Sequence, residues 1–245
     1  MLAKGGFVPL GEFHFDRLFR GMRILGLNGP MADVTDGEMS VLSAASLASQ
    51  TSELCRVNGH MTAARVRLTV FAGEGGKPAA YIIQTSVFTG DDTPEGGLRL
   101  GYFPDARKSC DRFSNLKSSS YLPYALAARY AGTQGWDDAL VLNSREGVAD
   151  SSIANLFYIR DGIIYTPPLS EGCVEGVMRR LLLERLPGHG FEFRERAVAP
   201  EELQDADEIF LTNALRGIRR VGSFEGKTYP GEMTRSLQEA LKFFF

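Results

Sequence analysis

One stretch in the second half of the chain leaves the backbone little freedom. Leu156-Phe157-Tyr158-Ile159 and Ile163-Ile164-Tyr165 are short runs of large apolar, β-branched and aromatic residues, and Asp161-Gly162 lies between the two flanks. A type I′ hairpin turn needs positive φ at both central positions, which Asp-Gly tolerates, so this is the strongest short-range hairpin signal in the sequence.

Around that hairpin the patterns alternate between helix and strand. Phe15, Leu18, Phe19, Met22 and Leu25 fall at helical spacing, with Gly26 where a left-handed cap belongs. Thr35 and Glu38 form a capping-box pattern before a stretch that predicts a second helix to about Cys55. Strands are expected at Ala64 to Phe71 and Ala80 to Phe88, joined by a Gly-rich turn at Gly73 to Lys77. Thr89 to Gly97 reads as a linker. Beyond it come a strand near Leu98 to Tyr102, a helix from about Ser120 to Ala131 and a strand at Ala139 to Asn143. Helices at Gly176 to Arg185 and Met233 to Phe245 flank a strand at Glu208 to Thr212. The division expected is residues 1–89 as a small α/β domain, 90–97 as linker and 98–245 as a larger domain.

Composition limits the function classes. A chain of 245 residues, 44% hydrophobic and 23% charged, can build one large or two modest cores. Net charge of -3, with no cluster of Lys and Arg on one face, gives a nucleic-acid partner little footing, so a small-molecule substrate is expected. Cys55, Cys110 and Cys173 lie far apart without metal-ligand spacing, which fits reduced thiols rather than disulfides or zinc. With no membrane-length apolar run and no signal-peptide pattern, a cytoplasmic chain with no membrane partner is expected.

Two short motifs invite chemistry and fail on context. Gly73-Glu74-Gly75-Gly76-Lys77 lacks the Ser or Thr and the helix of a phosphate loop, since Pro78 follows, and it reads as a hairpin turn. Ser114 and Lys117 match Ser-x-x-Lys, but the pair precedes the helix signal and has no Ser-Asp-Asn or Lys-Thr-Gly companion. The histidines, His14, His60 and His189, are scattered with no carboxylate or serine at useful spacing.

Lys117 gains meaning from its company. A lysine that forms a Schiff base must lose its proton, which a partly buried setting near other positive charge assists. Asp150 is an acid that burial would force to pair or neutralise, and Gly176-Val177-Met178 begins a helix whose free N–H groups suit a phosphate. The run Gly147 to Phe157, with Lys117 ahead and Thr166-Pro167-Pro168-Leu169 behind, resembles the class IV (fold type IV) enzymes that depend on pyridoxal 5'-phosphate (PLP). That family includes branched-chain aminotransferases, D-amino-acid aminotransferases and aminodeoxychorismate lyases, and the resemblance covers nearly the whole chain from His14 onward.

The resemblance implies a two-domain α/β (α+β) architecture, with a smaller N-terminal α/β domain and a larger C-terminal PLP-binding domain built on a β-barrel-like sheet flanked by helices. It implies Lys117 as the Schiff-base lysine and proton shuttle, and Asp150 as the acid that keeps the pyridine nitrogen protonated. Arg17, from His14-Phe15-Asp16-Arg17-Leu18, is implied to hold the phosphate with the Val177 and Met178 amides. Tyr121 would bond the phenolic oxygen, and Asn213-Ala214-Leu215 would form a second phosphate and substrate loop. A homodimer acting on an amino acid and a 2-oxo acid is implied.

Three departures from the family stand out. Its ring-nitrogen acid is normally Glu, and Asp150 is shorter by about one C–C bond, roughly 1.5 Å. The strand that usually reads Thr-Arg-Gly is Val70-Phe71-Ala72-Gly73, so Ala72 replaces a substrate-clamping arginine; Arg65 and Arg67, which share one face of that strand, could substitute only if that face meets the site. Met1 to Gly6 starts about where the family's Phe-Glu-Thr-like strand ends, so a truncated or misassigned start is expected; were the segment truly missing, the small domain would have an uncovered edge strand and a more open site. The first expectation is an aminotransferase, branched-chain-like in its substrate. Leu211 to Ile218 looks closer to the Asn-Ser/Ala-Leu loop of the lyases, so 4-amino-4-deoxychorismate lyase is the alternative. The departures motivate a third reading, a non-catalytic protein that keeps the fold.

Overall fold

The computed structural model describes residues 1–27, 42–73, 79–90 and 93–242. Two compact units divide it, Met1–Gly90 and Asp91–Phe243.

In the first unit a short strand β1 (Leu2–Ala3) precedes the helices α1 (Gly11–Ile24) and α2 (Ala44–Val57) and the strands β2 (Ala64–Phe71) and β3 (Ala80–Val87). The strands pair antiparallel in the order β1-β2-β3, with Leu2 opposite Arg65 and Ala64 opposite Val87. Apolar residues of α1 at helical spacing, Phe15 and Met22, bury against Leu42, Leu47 and Ala79, with Leu68, Val70 and Tyr81 packed alongside. Gly26 follows α1 with φ of 68°, as a left-handed cap requires. The described part of the second helix starts later than its sequence suggests. Ser43 is its N-cap and accepts the Ser46 N–H at 3.1 Å, while the Thr35 and Glu38 pattern lies outside the described residues, as does most of the turn from Gly73 to Lys77.

The second unit comprises β4 (Leu98–Lys108), α3 (Leu122–Gln134), β5 (Asp138–Asn143), β6 (Val148–Ser151), β7 (Asn155–Arg160), β8 (Ile163–Thr166), α4 (Val177–Arg185), β9 (Phe193–Glu195), β10 (Glu208–Asn213), β11 (Gly217–Phe224), β12 (Lys227–Thr228) and α5 (Glu232–Leu241). Its sheet has nine strands in the order β6-β5-β4-β11-β10-β7-β8-β9, with β12 attached to β11. β4 runs parallel to both β5 and β11, and β8 to β9, whereas the other pairs are antiparallel. The Asp-Gly hairpin joins β7 to β8, with φ of 52° at Asp161 and 74° at Gly162. It anchors the sheet, since Phe157 stacks on Phe210 of β10 at 5.0 Å between ring centroids. Full burial of each ring contributes about 2–3 kcal/mol.

One strand expectation needed correction, and one strand went unforeseen. β4 runs on to Lys108 rather than ending at Tyr102, through an irregularity between Phe103 and Lys108 that accommodates Pro104. β11 carries no clean apolar alternation, with two glycines and the adjacent Arg219 and Arg220, yet it lies between β4 and β10 near the middle of the sheet. Arg219 is buried and Nε bonds the Thr93 hydroxyl at 2.7 Å, while Arg220 reaches the carbonyls of Pro230 and Glu95. Partners for both guanidinium groups make the strand tolerable inside. α3 closes one side of β4 and β5 through Ala127, Ala131, Phe103 and Val141. No helix among the described residues is long and apolar enough to cross a membrane.

Candidate active site

The loop between β4 and α3 is built by its own polar side chains. Asp111 Oδ1 accepts the N–H groups of Phe113 and Ser114 at 2.8 and 3.0 Å, an Asx-type turn that folds the chain back. Ser114 is buried and hydroxyl-bonded to Ser109 at 2.9 Å, a structural role for the residue of the Ser-x-x-Lys match. Asn115 then clamps the loop to the segment before α4. Its Nδ2 donates to the carbonyls of Leu169 and Cys173 at 2.8 and 2.7 Å, and its own carbonyl accepts the Glu175 N–H at 3.0 Å. Lys117 sits two residues further on with an exposed side chain.

Asp150 is the centre of the cluster. It lies on β6 opposite Val141 and is 2% exposed. Oδ1 accepts the Tyr124 hydroxyl at 2.9 Å and Oδ2 accepts the Val174 N–H at 2.7 Å. The ammonium of Lys108, at the end of β4, stands 3.6 Å from Oδ2 and 4.9 Å from the centre of the Tyr124 ring. Burial pushes the Asp150 carboxyl up. Against it act, in order, the Lys108 charge, the Val174 N–H, the Tyr124 O–H and the charge of Lys117. Lys117 is therefore near enough for Asp150 to feel it. Burial likewise raises the Tyr124 phenol and pushes the Cys173 thiol up to about 12, so both stay neutral at physiological pH.

The start of α4 adjoins this carboxylate. Gly176 is the N-cap and gives no side-chain cap, which leaves first-turn N–H groups, those of Val177 and Met178 included, without intrahelical acceptors. A Cβ on Gly176 would fall 1.9 Å from Asn155 Oδ1, so only glycine lets the helix start this close to β7. Asn155 donates to the Val174 carbonyl at 2.8 Å, and across the sheet it pairs with Thr212 of β10. The turn Asn213-Ala214-Leu215 thus lies beside the same helix end. Asn213 Oδ1 accepts the N–H groups of Leu215 and Arg216 at 3.0 and 2.9 Å and shapes that turn.

Lys117, Asp150, Val177, Met178 and the Asn213 turn share this end of the second unit. Tyr121 is at the N-terminal edge of α3 with its ring 52% exposed, and the hydroxyl at Asp150 is that of Tyr124, one helical turn on. Arg17 lies half-buried on α1 in the other unit, near buried His14, whose ring is held down to about 2 chiefly by burial and then by nearby positive charge that includes Arg17. Ala72, Arg65 and Arg67 are exposed there. Sequence reasoning missed Tyr124 and Lys108. Helical spacing from Tyr121 could have found the first, whereas nothing distinguished Lys108 from the charged end of a strand. Cys55, Cys110 and Cys173 are free thiols, and no group of three or more His, Cys, Asp or Glu among the described residues could hold a metal.

Residues 1–224 match the family described as Amino-transferase class IV, and the chain belongs to that family, whose members depend on PLP. A branched-chain-amino-acid aminotransferase of Pseudomonas aeruginosa is 27% identical over 94% of this chain and 76% of its own length. The crystal structure of 4-amino-4-deoxychorismate lyase from the same organism is 29% identical, with a TM-score of 0.79 over 99% of this chain and 88% of that one. An aminotransferase of Brucella abortus bound to PLP shares the fold at a TM-score of 0.82 and 20% identity, over 99% of this chain and 85% of its own. The mixed α/β architecture is that of the fold type IV enzymes, a curled half-barrel sheet flanked by helices.

The site suits the cofactor on its own terms. A deeply buried carboxylate, a helix start left uncapped by side chains, and a lysine whose charge reaches the carboxylate are what a pyridine nitrogen, a phosphate and an aldehyde would need.

Proposed function

We propose that this chain is a PLP-dependent aminotransferase that moves an amino group between a branched-chain-like amino acid and a 2-oxo acid, working as a cytoplasmic homodimer. The observation that carries the reading is the buried Asp150 carboxylate, bonded by Tyr124 and Val174 beside the start of α4, with Lys117 in electrostatic range.

When bound, PLP supplies an electron sink that lowers the barrier to breaking a bond at the substrate α-carbon. Lys117 would hold the cofactor and move the proton at that carbon as general base and then general acid. Asp150 would hold the ring nitrogen, its carboxylate oriented by Tyr124 and the Val174 amide. The Val177 and Met178 amides and the Asn213 turn would hold the phosphate with backbone donors and the helix dipole. Asn115 keeps the Lys117 loop against the same helix start, so that amine and phosphate donors keep their separation.

The lyase reading is supported by the Asn213-Ala214-Leu215 turn and by the likeness to the Pseudomonas lyase. Absorbance of the protein with added PLP, borohydride reduction and peptide mapping test the common core. A visible band, with cofactor fixed to Lys117 and absent from Lys117→Ala, is expected. Free cofactor alone refutes both readings. Glutamate formed from 2-oxoglutarate with a panel of amino donors marks the aminotransferase, whereas pyruvate and 4-aminobenzoate from aminodeoxychorismate mark the lyase. Bound cofactor with neither turnover would favour a non-catalytic protein.

A further inference from the structure

We propose that Lys108 is a positioning residue which decides where the proton between Asp150 and a bound cofactor's ring nitrogen rests: its ammonium keeps the carboxylate ionised and so leaves the proton on the nitrogen. This rests on the PLP reading above and deepens it.

The observation behind it is a buried amine set against one oxygen of the carboxylate. Lys108 is 9% exposed, its Nζ has no hydrogen-bond partner among the described residues, and it stands 3.6 Å from Asp150 Oδ2 and over the face of Tyr124. A lysine is seldom enclosed this way without a charge partner. Oδ2 also accepts the Val174 N–H, whereas the Tyr124 hydroxyl takes one lone pair of Oδ1. The second lone pair of Oδ1 is the acceptor left for a ring N–H. Burial favours a neutral pair, acid and pyridine, over an ionised pair, carboxylate and pyridinium. Lys108 tips that balance because it neighbours the carboxylate itself, so its attraction to the negative group outweighs its repulsion of a cation one hydrogen bond further off. The surroundings supply little other charge. Tyr124 from α3 and Cys173 from the segment before α4 are neutral at working pH, and Arg179, which also reaches Cys173, pairs with Glu195. Lys117, from the loop before α3, adds positive charge in the free protein, but it is the residue the cofactor engages. Lys108 is then the ammonium that stays beside Asp150.

Nitrogen NMR of the holoprotein loaded with PLP labelled with ¹⁵N in the ring reads that proton directly. In the wild type at neutral pH the resonance is expected at the pyridinium position. In Lys108→Met, a swap for an apolar side chain of similar length, it should move downfield toward an unprotonated pyridine. The proton should then reappear on Asp150, as a protonated-carboxyl band in the infrared difference spectrum against wild type. Lys108→Gln, neutral but polar, should behave in the same way and serves if Lys108→Met does not fold. Lys108→Arg, which keeps the charge, should keep the wild-type resonance. An unprotonated resonance in the wild type overturns the inference, and so does a pyridinium resonance in the neutral variants. A moved resonance without the carboxyl band also overturns it, since the ring would then have lost its acid altogether. If the wild type takes up no cofactor, the PLP reading fails and the inference with it, whereas bound cofactor with an unmoved resonance refutes the inference alone.

Discussion

Gly176→Ala tests whether the close approach of α4 to β7 holds the site together. The backbone at Gly176, φ -69° and ψ 139°, suits alanine, so the cost is steric rather than conformational. The new Cβ would lie 1.9 Å from Asn155 Oδ1 and 3.1 Å from its Cγ, about 1.5 Å inside ordinary contact. Relief can come in two ways. Asn155 can swing away, which breaks its 2.8 Å bond to the Val174 carbonyl and costs about 1–2 kcal/mol. Alternatively the start of α4 can lift from β7, an overpacking strain of about 1–3 kcal/mol. With some of each, the expected loss is about 2–4 kcal/mol, or roughly 5–15 °C in the melting temperature of the unit. Either route disturbs Val174, whose N–H holds Asp150, and the first-turn amides, so cofactor affinity should fall at least about tenfold. Calorimetry with and without PLP reads both effects, and Gly188→Ala, with open space at its Cβ position, is the control that should melt as the wild type does. Equal melting and equal cofactor affinity for Gly176→Ala and wild type would refute the steric argument.

Asp138 should give the stability curve an alkaline-side loss. Its Oδ1 accepts from Ala139, from the Ser152 N–H and from the Ser152 hydroxyl, while the buried Oδ2 has no partner, and burial raises the carboxyl. A folded value above the unfolded one means stability that is full below the unfolded value and lost as pH rises through the folded one. Asp138→Asn should therefore gain on the wild type in melting temperature between pH 4 and pH 8, and parallel curves would rule this out. His14 works in the opposite direction. Its folded value, held down to about 2 mainly by burial, keeps the ring neutral, so its stability contribution is complete above pH 6.5 and lost as pH falls. The loss between pH 6.5 and 5 should be about 2 kcal/mol in the first unit. His14→Gln should flatten that slope in denaturant titrations, and an unchanged slope would exclude His14 as its source.

Local chemistry made much of the fold legible. The Asp161-Gly162 turn, the Gly26 cap and the alternating pair Ala64–Phe71 and Ala80–Val87 depend on neighbours in sequence, and they fold as those neighbours dictate. β11 was illegible for the opposite reason. Its arginines are tolerated inside because Thr93, Glu95 and Pro230 come from distant parts of the chain to meet them. The same division runs through the site. Lys117, Asp150 and the α4 start carry a recognisable order along the chain, whereas Lys108 and Tyr124 matter only because β4 and α3 bring them to one carboxylate.

Asp150 and Lys108 explain each other better than either explains itself. Lys108 pairs with Asn143 at the end of the β4–β5 ladder, and Asp150 pairs with Val141 on the other side of β5. The two residues are thus two strands apart, about 10 Å between backbones. A carboxylate shortened by one C–C bond stays close to β6, and only a side chain as long as lysine, running past β5, brings a cation to it. The Val174 N–H and the Tyr124 hydroxyl take up the reach that the acid lost on its other faces. The Asp for Glu departure is therefore accompanied by a set of donors arranged around the shorter group. An ion pair enclosed this deeply is weak support for stability, since its desolvation offsets much of its attraction. Its place beside the Lys117 loop and the open start of α4 gives it a chemical rather than a structural meaning.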